Sequence, residues 1–372
     1  MVATVADIID VLETLAPSDL AEEWDNVGLQ VGDGRWPVRT VWVALDPDFA
    51  VVKDACENNV DLLITHHPLI FKALHAVDFN SPIGEIIQLA SRHRMALFSA
   101  HTNLDSVTDG INDILASRIG LKNLRPLGDI SEPEKYKLVV FAPVEHEQKV
   151  LNSLLETEAG KIASYSCCSF RSKGKGTFRP DPSSKPIYGK IGEISQVDEI
   201  RIETVIPKTA LKRIVAHLCE HHPYETMAYD VYPLLSSEAV QGIGRVGELD
   251  EKTTLKSFAL AIKETLGLEF VSIAGKPDLV VQKAAVCSGS GASLMDRFFS
   301  SGAQVYISGD LRYHDARAVE STGLGIIDIG HFASEHLIVE VLSKRLATSL
   351  TENGIHVKVE AYGLEKDPFI IL

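Results

Sequence analysis

The chain has 372 residues, of which 45% are hydrophobic and 23% charged, a size and composition typical of a globular protein with two or three domains. Its formal net charge of −15 argues against a nucleic-acid binder, although an anionic substrate remains compatible because bound divalent cations reverse the local field. No apolar run or leader pattern predicts a membrane span or signal peptide, and five cysteines without a Cys-x-x-Cys pair do not form a disulfide framework, so we expect a cytoplasmic protein.

Apolar periodicity in the first third of the chain predicts helices that alternate with short buried strands. The predicted helices are 3–15, 49–58, 83–93 and 111–119, and the predicted strands are 41–45, 62–65 and 95–99. Strands that alternate with helices indicate βαβ units and a largely parallel sheet.

The middle region, from about 132 to 235, has a different pattern. It is predicted to contain a strand at 136–143, a helix at 146–156, an exposed Ser/Gly/Pro/Lys loop at 172–185, a strand at 200–205 and a helix at 208–220. The order strand–helix–strand–strand–helix–strand is ferredoxin-like. We therefore expect an inserted α+β domain at 132–235, which divides an α/β core into parts 1–131 and 236–372.

The α/β pattern resumes near residue 242. The predicted helices there are 254–266, 291–300, 314–321 and 332–348, and the predicted strands are 284–287, 305–308 and 326–329. The fold class predicted from the whole chain is α/β, with two related α/β halves on either side of the insert.

Histidines and acids follow predicted strands at three places that lie far apart in sequence. These clusters are His66-His67, His101 with Asp105, and His331 with Glu335. Ligands and metals collect at strand ends of α/β sheets, and imidazole with carboxylate suits Zn²⁺, Mn²⁺ or Fe²⁺. A lone histidine after a strand is usually structural, but three such clusters together make a metal site the first hypothesis.

The spacing within the clusters favours two ions over one. Side chains alternate along a strand, so adjacent His66 and His67 are expected to point in different directions. His331 and Glu335 are four residues apart and would share one face of a helix, where the carboxylate can bind one ion or bridge two. Two ions roughly 3.5–4 Å apart would activate a bridging water.

These residues also carry a resemblance to a known family. The chain resembles the dinuclear-metal proteins called GTP cyclohydrolase 1 type 2 homologues, or Nif-three-like proteins. The matching segments are EWDNVGLQVG at 23–32, THHP at 65–68, AHTNLD at 100–105, SGDLRYHDA at 308–316, and GH at 330–331 with Glu335. The resemblance implies that two divalent ions are held by His66, His67, Asp105, His331 and Glu335. It also implies a toroidal homohexamer whose metal sites face an internal cavity.

The middle region is similar to the CutA/PII-like insert of longer bacterial members of this family, through the run HPYETMAYDVYPL at 222–234. A second His-His-Pro motif, at 221–223, overlaps the start of this run. We therefore interpret His221 and His222 as structural residues and not as metal ligands.

Four other features leave alternatives open. The small residues at 287–291 could bring backbone amides to an anion, or could form a tight turn. The polar segment 23–26 could line the cavity, or could be a capped turn with Trp24 as a packing anchor. His101 and His314 could orient ligands or carry protons, or could be satisfied histidines in polar pockets.

The sequence thus predicts a metal-dependent hydrolase that uses metal-activated water on a small anionic or nucleotide substrate, as a GTP cyclohydrolase or a phosphoesterase would. Two alternatives remain from the same residues: a non-enzymatic protein that stores, senses or delivers metal, and a hexameric scaffold that binds partners.

Overall fold

The computed structural model describes residues 2–127, 135–162, 165–234 and 241–370. Its chain divides into two compact units: Met1–Asp129 with Gln241–Leu372, and Ile130–Val240. The domain boundaries predicted from the sequence, at 131/132 and 235/236, lie outside the described residues. No helix in the described part is long and apolar enough to cross a bilayer.

The described residues form fifteen strands and twelve α-helices. The strands are β1 (Gly28–Val31), β2 (Thr40–Ala44), β3 (Leu62–Thr65), β4 (Ala96–Ser99), β5 (Lys122–Pro126), β6 (Lys135–Pro143), β7 (Ser169–Phe178), β8 (Ser195–Pro207), β9 (Tyr229–Pro233), β10 (Arg245–Thr254), β11 (Ser272–Ala274), β12 (Val280–Ser290), β13 (Val305–Gly309), β14 (Gly325–Asp328) and β15 (Lys358–Ala361). The helices are α1 (Val5–Leu15), α2 (Phe49–Glu57), α3 (Pro82–His93), α4 (Thr102–Ser106), α5 (Ile111–Arg118), α6 (Glu147–Leu155), α7 (Leu211–His221), α8 (Leu255–Leu266), α9 (Met295–Ser300), α10 (Tyr313–Thr322), α11 (His331–Glu335) and α12 (Leu337–Glu352).

The first sheet of the larger unit has the order β1-β4-β3-β2-β15. Strands β15, β2, β3 and β4 are parallel, and β1 pairs antiparallel with β4 at the edge. Every residue of β3 and β4 is buried, which explains why these strands appear in the sequence as short continuous apolar runs.

The second sheet has the order β11-β14-β13-β12-β10-β5. Only its centre, β12 to β14, is parallel, whereas β11, β10 and β5 pair antiparallel with their neighbours. The expected largely parallel sheet is therefore corrected to two mixed sheets. The missed strands are edge strands or half-exposed ones, which lack the apolar run that marks a buried strand.

Two strands lie in the sheet that their position in the chain would not predict. β5 comes directly after the helices of the first sheet but pairs with β10 in the second. β15 comes after the second sheet but pairs with β2 in the first. Each half of the larger unit therefore completes the sheet of the other half.

Local sequence signals fix several helix ends. Thr4 and Asp7 form a capping box at the start of α1, and its residues Val5, Ile8 and Leu12 are buried. The helix predicted at 332–348 is instead two helices, α11 and α12, which meet at His336. Apolar periodicity runs through this junction, so the sequence pattern does not reveal the break.

The smaller unit contains one four-stranded antiparallel sheet in the order β7-β8-β6-β9, with α6 and α7 in its connections. The loop predicted at 172–185 is wrong over its first part, because β7 runs from Ser169 to Phe178. Most residues of β7 are exposed, so the amino-acid composition of this strand resembles that of a loop. The likeness of this unit to CutA and PII proteins stays a prediction.

Candidate metal centre

The histidines of the three clusters converge in the larger unit. His66 and His67 directly follow β3, His101 follows β4, and His331 begins α11 just after β14. The first three belong to the first sheet and the last to the second, so this region lies at the strand ends of both sheets. Gly330 has a φ of +80°, which allows the sharp entry into α11.

Glu335 lies at the centre of this cluster. Its Oε2 is 2.9 Å from Nε2 of His67 and 2.9 Å from Nε2 of His331. The two Nε2 atoms are 3.4 Å from each other. Because His331 and Glu335 occupy both ends of the one-turn helix α11, their spacing of four residues brings both side chains to the same point, as the sequence predicts.

His66 contacts the other side of the same carboxylate. Its Nε2 is 3.7 Å from Glu335 Oε1 and 3.8 Å from Asp105 Oδ1. The rings of His66 and His67 lie 5.1 Å apart with their planes 49° apart, so both side chains reach the same cluster. The strict alternation of a strand ends at Thr65, one residue before the pair.

The Nδ1 atom of each of the four histidines faces an oxygen. The partners are Ala100 O for His66 at 3.0 Å, Asp46 Oδ1 for His67 at 2.8 Å, Asp25 Oδ1 for His101 at 2.9 Å, and Asp310 Oδ2 for His331 at 2.7 Å. Carbonyl and carboxylate oxygens only accept hydrogen bonds, so Nδ1 carries the proton and donates it. In the neutral tautomer the lone pair of each ring therefore lies on Nε2, the arrangement of metal-binding histidines.

When the imidazoles are neutral, two buried atoms of this cluster have no hydrogen-bond partner in the described residues. They are His66 Nε2 and Glu335 Oε2, in side chains that are 1% and 5% exposed. The oxygen lies near two imidazole nitrogens, but in-plane lone pairs repel each other unless a cation or proton lies between them. Unpartnered donor atoms of metal-ligand type at the same place fit a divalent ion.

Charges in the cluster are strongly coupled. Burial opposes the charge of His67, but its hydrogen bonds to Asp46 and Glu335 outweigh burial and raise its pKa to about 10. The hydrogen bond to Glu335 raises the pKa of His331 to about 9. Burial alone would raise the pKa of Glu335, but the histidines around it lower it well below its usual value. At the centre of the cluster, Glu335 is thus an anionic carboxylate, and it needs positive charge nearby.

Asp105 lies on α4 and is buried. Burial raises its pKa, and Ser288 Oγ lies 3.3 Å from its Oδ1. Asn112 holds the turn by donating to the backbone carbonyl of Asp105 at 3.0 Å. The ligand atoms form two tight groups, one of His66, His67 and His101 and one of His67, His331 and Glu335. Of the five residues predicted as metal ligands, Asp105 alone is in neither group, and it contacts the first group through His66.

The two histidines predicted as supporting residues differ in position. His101 forms a ligand group with His66 and His67, while a second group contains His67, His331 and Glu335. His101 could therefore bind an ion directly as well as support one. His314 lies on the exposed surface of α10 with its ring against Tyr313, and it is in neither group.

Sequence reasoning missed three carboxylates that orient the histidines, namely Asp25, Asp46 and Asp310. Asp25 also accepts hydrogen bonds from the amide and hydroxyl of Thr102, so the segment 23–26 fixes the start of α4. Trp24 is 57% exposed and its ring contacts that of His101. Asp25 and Asp310 lie inside motifs that the sequence had singled out, whereas Asp46 follows β2 with no such signal.

Residues 287–290 are the last residues of β12, where its pairing with β13 shifts register between Val286 and Ser290, so they are not the tight turn that was one of the two expectations. The amides of Ser288, Gly289 and Gly291 donate to the side chains of Asn112, Ser334 and Ser308. These amides already have partners, which argues against an anion site.

In the smaller unit, His222 uses both of its ring nitrogens structurally. Nε2 bonds the carbonyl of Phe141 at 3.0 Å, and Nδ1 accepts the amide of Tyr224 at 3.1 Å. These bonds agree with the interpretation of the second His-His-Pro motif as a structural element.

The chain is similar to known proteins over nearly its full length. It matches the family model described as Duf34/NIF3 (NGG1p interacting factor 3) over residues 3–368. It is 37% identical to the "GTP cyclohydrolase 1 type 2 homolog" of Bacillus subtilis over 365 residues, which cover 98% of each chain. It is 34% identical to the protein of the same name from Halalkalibacterium halodurans over 371 residues, the whole of each chain.

Solved structures give the same result. A Bacillus cereus protein related to NIF3 matches with a TM-score of 0.70 at 36% identity, covering 100% of both chains. A Staphylococcus aureus protein matches with a TM-score of 0.71 at 31% identity, covering 99% of both chains. Family model, sequence relatives and structures all extend over nearly the full length, and the chain therefore belongs to the Duf34/NIF3 family.

Proposed function

We propose that the chain is a metal-dependent hydrolase with two divalent ions, which acts on a small anionic or nucleotide substrate. The observation that carries this proposal is the convergence of the Nε2 atoms of His66, His67 and His331 on the buried carboxylate of Glu335, with the Nδ1 atom of each ring bonded to an oxygen. This arrangement directs lone pairs and negative charge to one place. The relatives' name, GTP cyclohydrolase 1 type 2 homolog, makes GTP the first substrate to test.

The proposed ligands are His66, His67, Asp105, His331 and Glu335, and the ions could be Zn²⁺, Fe²⁺ or Mn²⁺. His67 belongs to both ligand groups, which supports two neighbouring ions. Bound divalent ions would supply water of lowered pKa and polarise the bond under attack.

The residues of the chain itself hold and orient this site. Asp46 and Asp310 accept hydrogen bonds from Nδ1 of His67 and His331, which orients these rings with Nε2 toward the proposed ions. His101 lies beside the ligands at a part-buried position and could carry a proton to or from a leaving group.

The remaining features of the proposal concern assembly and location. We infer a toroidal homohexamer, a CutA/PII-like role for the smaller unit, and a cytoplasmic location. The antiparallel sheet of the smaller unit, with its order β7-β8-β6-β9, supports the ferredoxin-like assignment.

Metal storage, sensing or delivery is the second candidate function. The side chains of His67 and His331 are 22% and 34% exposed, so an ion held there could exchange with solvent. A partner-binding scaffold is a third reading, and it requires that the double variant His67→Ala/Glu335→Ala leaves biological function intact.

Elemental analysis and turnover test the proposal together. The purified protein should contain about two ions per chain and should hydrolyse GTP or a member of a phosphodiester panel. His331→Ala should lose most of the metal and the activity. His314→Ala, an exposed histidine outside the cluster, is the matched control and should keep both.

Three outcomes separate the readings. Metal loading without turnover, combined with reversible exchange, would favour storage or delivery. A wild-type protein that purifies without metal and cannot be loaded would contradict both functions. Equal metal content in His331→Ala and wild type would contradict the ligand assignment.

A further inference from the structure

The smaller unit contains a cavity of about 320 Å³ that none of the proposed chemistry uses. Its wall includes the rings of Phe178, Tyr188 and Tyr224 and the carboxylates of Glu199 and Glu225. Phe178 ends β7, Glu199 lies on β8, and Tyr224 lies between α7 and β9. Three different parts of the chain thus bring aromatic and acidic groups to one place.

The three rings form walls at different angles. The centroids of Tyr188 and Tyr224 are 6.0 Å apart and their planes are 81° apart. The centroids of Phe178 and Tyr224 are 6.5 Å apart and their planes are 57° apart. Rings that line a cavity at such angles can present faces or edges to a ligand from several sides, which a flat stack cannot do.

Glu199 is held in place beside these rings. Tyr224 donates its hydroxyl to Glu199 Oε1 at 2.7 Å. Burial and the neighbouring carboxylate raise the pKa of Tyr224, so its phenol stays neutral and remains a donor. A Cβ at Gly176 would overlap Glu199 Oε2, so a glycine on β7 makes room for this carboxylate. No hydrogen bond to Oε2 occurs within the described part of the smaller unit.

The charge of the lining is negative. Glu199 and Glu225 line the cavity against a single lysine, Lys185, whose backbone amide donates to Glu225 at 2.8 Å. Tyr188 additionally donates its hydroxyl to Glu145, a carboxylate at the outer side of the same ring. Aromatic faces and carboxylates both favour a cation, and apolar ring surface favours one that carries alkyl groups.

We propose that this cavity binds an organic cation, an alkylated ammonium group seated among Phe178, Tyr188 and Tyr224 with Glu199 as its counter-ion. An anion is disfavoured by the two carboxylates, and a hydrated metal ion would gain little from the rings. This site is separate from the metal centre in sequence and in chemistry, and it does not depend on the proposed hydrolase activity.

Calorimetric titration of the full chain with choline tests the proposal. The comparison ligand is 3,3-dimethyl-1-butanol, which has the shape of choline without its charge. Choline should bind about tenfold more tightly than the neutral alcohol, because cation–π attraction and the carboxylate act only on the charge. Equal affinity for both ligands, or no binding at millimolar choline, would overturn the proposal.

Two glycines of β7 give a matched pair of variants. Gly176→Ala should displace Glu199 and weaken choline binding several-fold, whereas a Cβ at Gly174 meets nothing, so Gly174→Ala should bind as wild type does. Glu199→Gln should weaken binding without changing side-chain volume, which keeps the test valid if Gly176→Ala does not fold. Thermal unfolding of each variant checks folding, and equal choline affinity in wild type and Glu199→Gln would refute the role of the carboxylate.

Discussion

At the scale of single residues, the candidate metal centre depends on a glycine as much as on its ligands. Gly289 has a φ of +60°, and a Cβ there would overlap Glu335 Oε1. The backbone therefore approaches the central carboxylate more closely than any side chain would permit. This requirement is invisible in the sequence, where Gly289 is one of several small residues in a row.

Gly289→Ala should displace Glu335 and reduce the metal content. Gly323→Ala is the control, since Gly323 has a similar φ of +72° but a Cβ there meets nothing. Both variants should lose about 1 kcal/mol of stability from the left-handed backbone, and only Gly289→Ala should lose metal. Elemental analysis together with urea unfolding measures both effects. Full metal content in Gly289→Ala would show that Glu335 tolerates the shift.

The sequence predicts the proposed ligands of this centre better than it predicts the carboxylates that orient them. The histidines and acids are recognisable because they follow apolar strands and carry the family motifs. Asp46 lies in no such motif, and Asp310 lies in one that does not reveal its role, because each aspartate acts on a ring nitrogen 21 residues away in the chain. The sequence alone places His101 among the supporting residues. Its position beside the proposed ligands is visible only in the folded unit, where its ring lies close to those of His66 and His67.

At the scale of elements, Arg245 anchors β10 to the turn after α4 and to α5. Its guanidinium binds both oxygens of Asp113, at 2.8 and 2.7 Å, and the carbonyl of Val107 at 2.9 Å. The arginine side chain is 3% exposed, so these partners replace water almost completely. Because α4 carries Asp105, this ion pair also positions a proposed ligand.

Replacement of Arg245 by methionine should lower the free energy of unfolding by about 3 kcal/mol, because Asp113 would be left as an unpaired charge with little access to water. The comparison is Lys122→Ala, which removes an exposed pair with Asp250 at 2.6 Å and should cost no more than about 1 kcal/mol. Denaturant titration measures both. Similar losses in the two variants would mean that the buried pair contributes no more than the surface pair.

Most elements of the larger unit are predictable because their periodicity is local. β3 is predicted to the residue, at 62–65, because all four of its side chains are buried. β5, β11 and β15 are not predicted, because short edge strands have no continuous apolar run and pair with distant partners. The sequence predicts a loop over residues 172–178 of β7, because the side chains of this strand are mostly exposed.

At the scale of the whole molecule, the candidate metal centre contains residues from two sheets. His66, His67 and His101 follow strands of the first sheet, and His331 and Glu335 follow a strand of the second. An ion bound by residues from both sheets would act as a cross-link within the larger unit, and ligand binding to the folded state alone stabilises it.

Removal of metal by a chelator should therefore lower the unfolding temperature by roughly 5 °C or more, and restored metal should reverse the change. His331→Ala should unfold at the temperature of the chelated wild type and show no further response to chelator. Differential scanning calorimetry gives this comparison directly. A chelator effect of equal size in His331→Ala would place the stabilising ion elsewhere.

The exchange of β5 and β15 between the sheets has a consequence for synthesis on the ribosome. The first sheet pairs β2 with residues 358–361, which are synthesised after every other described strand. A nascent chain can assemble β1 to β4 early, but one side of β2 stays unpaired until β15 has been synthesised. The first sheet is thus expected to be completed last, and stalled chains that end before β15 should be targets for chaperones that recognise open sheet edges.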